Sequence, residues 1–172
     1  MKNIIIVAGL AFAAMSPSYA QNLSKGDQHI LEELAQANMA EVAVGKIALE
    51  KASKPEVKNF AQQMVDDHTK GLQAVQDVAR SKNVTLPTEP DAKHRKMAER
   101  LNSLSGDAFD RAYLSNAGVH DHSEAHKFVV NAQKKASDAD VKALAAKLQP
   151  TVDQHLQTVQ AMMGDKNATS KH

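Results

Sequence analysis

The chain has no cysteine and no tryptophan, and only four Phe and two Tyr among its 172 residues. The missing cysteine excludes disulfide staples, thiolate metal sites and cysteine nucleophiles, and the scarcity of aromatics excludes base-stacking platforms for single-stranded nucleic acid. An excess of charge of one sign is also lacking, because 21 Lys and Arg stand against 20 Asp and Glu. No whole-chain field therefore draws the protein to nucleic acid or anionic lipid. Gly-rich phosphate loops, Gly-x-Ser-x-Gly elbows and strand-type alternation do not occur. What is present is aliphatic and alanine-rich, 42% hydrophobic and 24% charged. That balance suits one globular domain of closely packed helices.

Met1 to Ala20 combines Lys2, an apolar run from Ile4 to Met15, and the closing triplet Ser18-Tyr19-Ala20. Small residues at the first and third positions of that triplet suit signal peptidase, so residues 1–20 are expected to be a leader cleaved after Ala20. The apolar run is too short to span a bilayer and no later stretch is longer, which predicts no integral membrane insertion. Loss of Lys2 with the leader gives a formally neutral mature chain, expected to be exported, soluble and periplasmic. The domain is expected over residues 21–163. Residues 164–172, small and polar, read as a disordered tail.

Four stripes of helical period follow. The first runs from about Lys25 to Ala52 through Ile30, Leu31, Leu34, Ala35, Val42, Ala48 and Leu49. Ser53-Lys54-Pro55-Glu56 interrupts it, with Ser53 a natural N-cap and Glu56 three positions on as in a capping box. The second stripe, Val57 to Ala79, ends at Asn83. Leu86-Pro87-Thr88-Glu89-Pro90 breaks helix, and only Asp91 to Leu104 can form a short one, which makes this stretch a crossover. The third helix is expected over about Asp107 to Ala136 and the fourth over about Ala139 to Met163, with Pro150 inside it. Glu56-Val57-Lys58-Asn59-Phe60-Ala61 echoes Asp140-Val141-Lys142-Ala143-Leu144-Ala145, and Val65-Asp66-Asp67-His68 echoes Val152-Asp153-Gln154-His155. The two halves read as related helical hairpins.

Each stripe has one polar violation: Glu41, His68, His122 and His155. Counting outward from the turns, Glu41 lies 12 residues before Ser53 and His68 lies 15 after it, while His122 lies 15 before Ser137 and His155 lies 18 after it. At a rise of about 1.5 Å per residue, both pairs match in depth within about one turn. A buried polar group without a partner costs about 1–3 kcal/mol, so four in one core are expected to converge. Three imidazoles and a carboxylate suit a divalent metal ion such as zinc, manganese, iron or copper. The competing expectation is a metal-free Glu-His network that sets helix register in a structural or interaction module.

Other polar groups are weighed beside these. Asp67 and Asp121, each preceding a histidine, offer outer partners, although neighbouring helical positions point about 100° apart. His120 reads as outward, His126 stays open, and Asp91 with His94 reads as surface. Met64, Met97, Met162 and Met163 read as core filler. No general base or substrate pocket is identifiable, so the expectation is binding and not catalysis, with partner and oligomeric state open.

Taken together, Ala40-Glu41-Val42-Ala43-Val44-Gly45-Lys46-Ile47-Ala48, Phe60 to His68, Gly106 to Leu114, Asp121-His122 and Pro150 with His155-Leu156 resemble a family of exported bacterial proteins. It is the domain of unknown function 4142, often labelled outer membrane proteins. The resemblance spans about Asp27 to Met163. It implies an all-α, ferritin-like four-helix bundle with a long crossover between helices two and three. It also implies that Glu41, His68, His122 and His155 fall on recurring acidic and histidine positions, as do Asp110 and Tyr113. It implies no substrate or reaction. The chain departs from the di-iron ferritin-like pattern in having no Glu-x-x-His.

Overall fold

The computed structural model describes residues 23–169. The expected leader, residues 1–20, lies outside them, and the expected tail, residues 164–172, falls partly on the last helix and partly outside. The elements are α1 (Lys25–Lys51), α2 (Pro55–Ser81), α3 (Ala92–Asn102), α4 (Gly106–Tyr113), a π-helical stretch Leu114–His120, α5 (Asp121–Lys135) and α6 (Ala139–Thr169). α4, the π stretch and α5 are consecutive and make one third rod. Among the described residues there is no strand. α1 packs along α2 and α5 along α6, as the short turns between them require, and α3 in the crossover lies against α1. The architecture is the four-helix bundle with a long crossover that the stripes predict.

The ends of the rods show how the two hairpins are joined. Ser53 does not cap α2: the N-cap is Lys54, which makes no side-chain cap bond. Asp110 of α4 reaches across instead, accepting the Ser53 N–H at 3.0 Å, the Ser53 hydroxyl at 2.6 Å and the Lys54 N–H at 3.2 Å. The Ser53 hydroxyl donates to that carboxylate and so leaves its own helix. Asp27 of α1 does the same for the other hairpin, accepting the Ser137 N–H at 3.0 Å and its hydroxyl at 2.7 Å. A carboxylate near the start of each hairpin thus closes the turn of the other, as two related halves would. The end of α2 follows expectation. Asn83 takes φ 56°, and Val84 N–H bonds Ala79 O at 2.9 Å while Asn83 N–H bonds Arg80 O at 3.2 Å. These are the paired bonds of a left-handed C-terminal cap.

The core is not continuous. One apolar cluster gathers Leu31, Leu34, Val75, Val129, Val141 and Leu144. A second gathers Val44, Met64, Phe109, Tyr113, Leu114 and Val159. Met64 fills volume there, as expected. Apart from Asp27 and Asp110 at the turns, the buried polar residues fall between the two clusters: Asn38 and Glu41 on α1, His68 on α2, Asp121 and His122 on α5, and His155 on α6. The bundle is a polar layer between two apolar ones.

Gly118 lets that layer close. A Cβ there would stand 2.4 Å from Cγ2 of Val159, which is fully buried, so only glycine allows α6 to lie this near the π stretch. Gly118→Ala is expected to destabilise the protein by about 1–3 kcal/mol through overpacking, even after the gain of about 1 kcal/mol in helix propensity. A lower urea midpoint with an unchanged m value is the measurement that checks it. An unmoved midpoint would show that Val159 yields without cost.

Candidate metal centre

His68, His122 and His155, from three different rods, each place one ring nitrogen within 4.8 Å of the others. All three are buried, His155 completely. His122 stands edge to face with both other rings and His68 is tilted against His155, with centroids 5.3–5.5 Å apart. Expected convergence of the histidines is therefore observed. Glu41 also points inward and is buried, but it lies outside the group of three.

One nitrogen of each ring faces an acceptor. His122 Nδ1 is 2.8 Å from the Ala117 carbonyl oxygen, which only accepts, so Nδ1 carries the proton. His68 Nδ1 is 3.0 Å from Asn38 Oδ1, and the orientation of that amide is set by its Nδ2, which donates to Leu34 O at 2.7 Å. His155 Nε2 is 3.1 Å from a carboxylate oxygen of Asp67. Each imidazole thus donates outward to a fixed partner and keeps one lone pair. This is the arrangement in which outer partners orient metal-binding histidines. Asp67 meets His155 and not its own neighbour His68.

The lone pairs are poorly served by protein alone. His68 Nε2 and His122 Nε2 lie 3.4 Å apart with both protons committed elsewhere, and His155 Nδ1 is buried without a partner. A proton between the first two would create an imidazolium in a dry layer, which the surroundings oppose. Burial pushes His68 well below the ordinary imidazole range, helped by the two neighbouring rings. Burial takes His122 down to about 4 against the pull of the Ala117 carbonyl. Burial also lowers His155, against the stabilising carboxylate of Asp67. At neutral pH the three rings are uncharged, the state in which imidazole binds metal. Burial, reinforced by the negative charge of Asp121, raises Glu41 well above the carboxylate range, and its Oε2 has no partner.

Two local features make the arrangement and neither is visible as a stripe. The π stretch pairs Asp121 N–H with Asn116 O, five residues back. This wider turn brings the Ala117 carbonyl to the ring of His122; such insertions recur at functional sites. On α2, Gly71 leaves room for Asn38: a Cβ there would meet Asn38 Oδ1 at 2.4 Å. Asn38 itself sits on the apolar face of α1, four residues after Leu34 and three before Glu41. That spacing was the signal for it.

The remaining polar residues sort clearly. His120 is exposed, as expected. His126 pairs with Asp153 at 2.6 Å and is not among the three. His94 corrects the surface reading: its side chain is only 16% exposed, it lines a cavity of about 550 Å³, and its Nε2 lies 3.9 Å from Asp121. The reason is that α3, N-capped by Asp91, packs against α1 and turns this ring inward. His68, His122, Glu41 and Asp121 line the same cavity.

The model of a domain of unknown function, DUF4142, matches residues 12–162. The chain belongs to the DUF4142 family. Among solved structures, this DUF4142 chain is similar to a DUF305 fragment from Deinococcus radiodurans, with 13% identity over 84% of this chain and 99% of that one, at a TM-score of 0.73. It is also similar to CopM in its Cu(I)-bound form, at 15% identity and a TM-score of 0.66, and in its Cu(II)-bound form, at 16% and 0.67. Both CopM matches cover 81% of this chain and 96% of that one. At such identities the likeness is one of fold. No curated protein matches in sequence. No helix among the described residues is long and apolar enough to cross a membrane.

Proposed function

We propose that this protein is an exported, periplasmic metal-binding protein that holds one ion on His68, His122 and His155, with Glu41, which lies outside that group of three, moving in as a fourth ligand on binding. The observation that carries the reading is the set of three buried imidazoles, each with a ring nitrogen within 4.8 Å of the others and each hydrogen-bonded through one nitrogen to an acceptor. Nitrogen donors with one carboxylate suit zinc, copper, iron or manganese. The copper-bound forms of CopM, similar in fold, make copper the first ion to test. When bound, the ion supplies positive charge to the facing lone pairs and to the unpartnered Glu41 oxygen. A metal-free Glu-His network is the weaker reading, because Glu41 Oε2 and His155 Nδ1 have no partner within it. Binding is the proposed role, with no reaction assigned.

The test is elemental analysis of protein purified from the periplasm without chelator, followed by melting with and without added copper, zinc, iron or manganese. Glu41→Gln separates the carboxylate from the histidines. Its neutral amide removes the cost of a buried carboxyl, so the metal-free variant is expected to melt higher, by about 2–4 °C for each kcal/mol relieved. The same change is expected to weaken metal binding. No metal uptake by the wild-type protein, and no ion shifting its melting curve, would overturn the reading. A Glu41→Gln protein that binds metal as tightly as wild type would remove Glu41 alone from the ligand set.

A further inference from the structure

The cavity beside the imidazoles carries a charged group that the metal reading leaves unused. Asp121 is 8% exposed, lines the cavity, and has no hydrogen-bond partner on either carboxylate oxygen. Two donors stop short of it. Lys93 Nζ is 3.8 Å from Oδ1, on a side chain that is 64% exposed. His94 Nε2 is 3.9 Å from Oδ2, and its ring is held on the other side by Asp91, 2.5 Å from Nδ1. A buried carboxylate is stabilised by a charged N–H donor at hydrogen-bond distance, and here none is at that distance. Among the described residues the ammonium nearest to Asp121 is that of Lys93, paired with it only at 3.8 Å from an exposed side chain.

The remaining walls are largely apolar, formed by Leu34, Ala37, Ala74, Ala125, Phe128 and Leu148. A volume of about 550 Å³ is that of a small-molecule site. The charge pattern selects among small molecules. Lys70, Lys93 and Lys147 also line the cavity, beside Glu33, Asp67 and Glu124, so the selection is made at Asp121 itself: there an anion would meet like charge, and an alcohol would leave the carboxylate without a charged donor. A compact ammonium with a short aliphatic chain meets both demands: its head donates to Asp121 in place of Lys93, and its chain covers Phe128 and Leu148.

We propose that this cavity is a binding site for a small primary alkylammonium ion, with Asp121 as the group that receives its head. The site does not require the metal reading, since Asp121 is not among the proposed ligands and the test uses metal-free protein. It also makes Lys93 an internal competitor, whose removal frees the carboxylate for the ligand.

Isothermal titration of chelator-treated, metal-free protein with n-hexylammonium chloride tests it, with 1-hexanol and sodium hexanoate as controls. The wild-type protein is expected to bind one hexylammonium and neither control comparably. Asp121→Asn, close to isosteric, is expected to weaken binding by about tenfold or more. Lys93→Ala, a change at an exposed side chain, is expected to strengthen it by about threefold or more as competition is relieved. Hexanol binding as well as hexylammonium would reduce the cavity to an apolar one and overturn the proposal. So would equal affinity in Asp121→Asn or in Lys93→Ala, or no binding to folded wild-type protein. Metal uptake measured on the same preparations keeps the two readings apart, because either can fail while the other stands.

Discussion

Replacing His122 with alanine is expected to abolish specific metal uptake while leaving a folded helical bundle. Loss of an outer partner of a metal-bound histidine typically costs about 10–100-fold in affinity, and loss of the ligand itself exceeds that. The expected size follows from linkage. Free metal at about 100 times its dissociation constant stabilises the native state by about 2.7 kcal/mol. For a domain of this length that is a rise of about 5–10 °C in melting temperature. Wild-type protein is expected to show this rise and one bound ion after dialysis, and His122→Ala to show neither. His122→Gln, which keeps more of the volume, separates lost coordination from a cavity in the polar layer. Both variants retaining the ion and the rise would exclude His122 as a ligand.

Acid is expected to destabilise the metal-free protein in the range where histidines of an unfolded chain take up protons. An ordinary imidazole titrates at 6.5, whereas burial holds His122 at about 4 and keeps His68 and His155 lowered as well. Between those values the unfolded chain binds more protons than the folded one, so stability rises with pH. The stability tied to the neutral rings is complete above 6.5 and is lost as pH falls toward about 4. For His122 alone the displacement corresponds to about 3 kcal/mol. Glu41 acts in the opposite sense. Its raised value favours the native state in acid, and that contribution fades as pH climbs above 4.5. Asp67 is held below 3.8 by its bonds to His155 and Lys70, which outweigh its burial, so its contribution is lost only at lower pH. Calorimetry of chelator-treated protein at pH 7.5 and pH 5 checks the balance. Equal melting temperatures at the two values in the Glu41→Gln variant, which lacks the opposing group, would show that the rings are not buried as neutral groups.

Much of the site was legible along the chain because a polar residue inside an apolar stripe is conspicuous. Glu41, His68, His122 and His155 stand out for that reason, and counting from Ser53 and Ser137 sets their depth. Asn38 was legible by the same rule, being on the stripe of α1, and it is the partner that orients His68. Other features had no such signal. The π stretch arises where α6 presses on Gly118, an approach set by a segment far along the chain. The turn at Ser53 carries the local marks of a capping box, yet Asp110 takes its donors from across the bundle. His94 lies in a crossover of polar, broken sequence, and only the docking of α3 on α1 turns it inward.

Sequence alone determined the four rods, the place of the crossover, and that Glu41, His68, His122 and His155 face inward, because helical period and turn chemistry are local properties of the chain. Tertiary structure decided which of those side chains come within reach of one another, which nitrogen of each ring keeps its proton, and that Glu41 stands apart from the three histidines. Those outcomes depend on the spacing of rods and on acceptors supplied by other elements, through contacts such as Gly118 on Val159 and Gly71 on Asn38. Helical period records the direction of a side chain around its own axis, and the distance to the next axis is set only when both faces are packed.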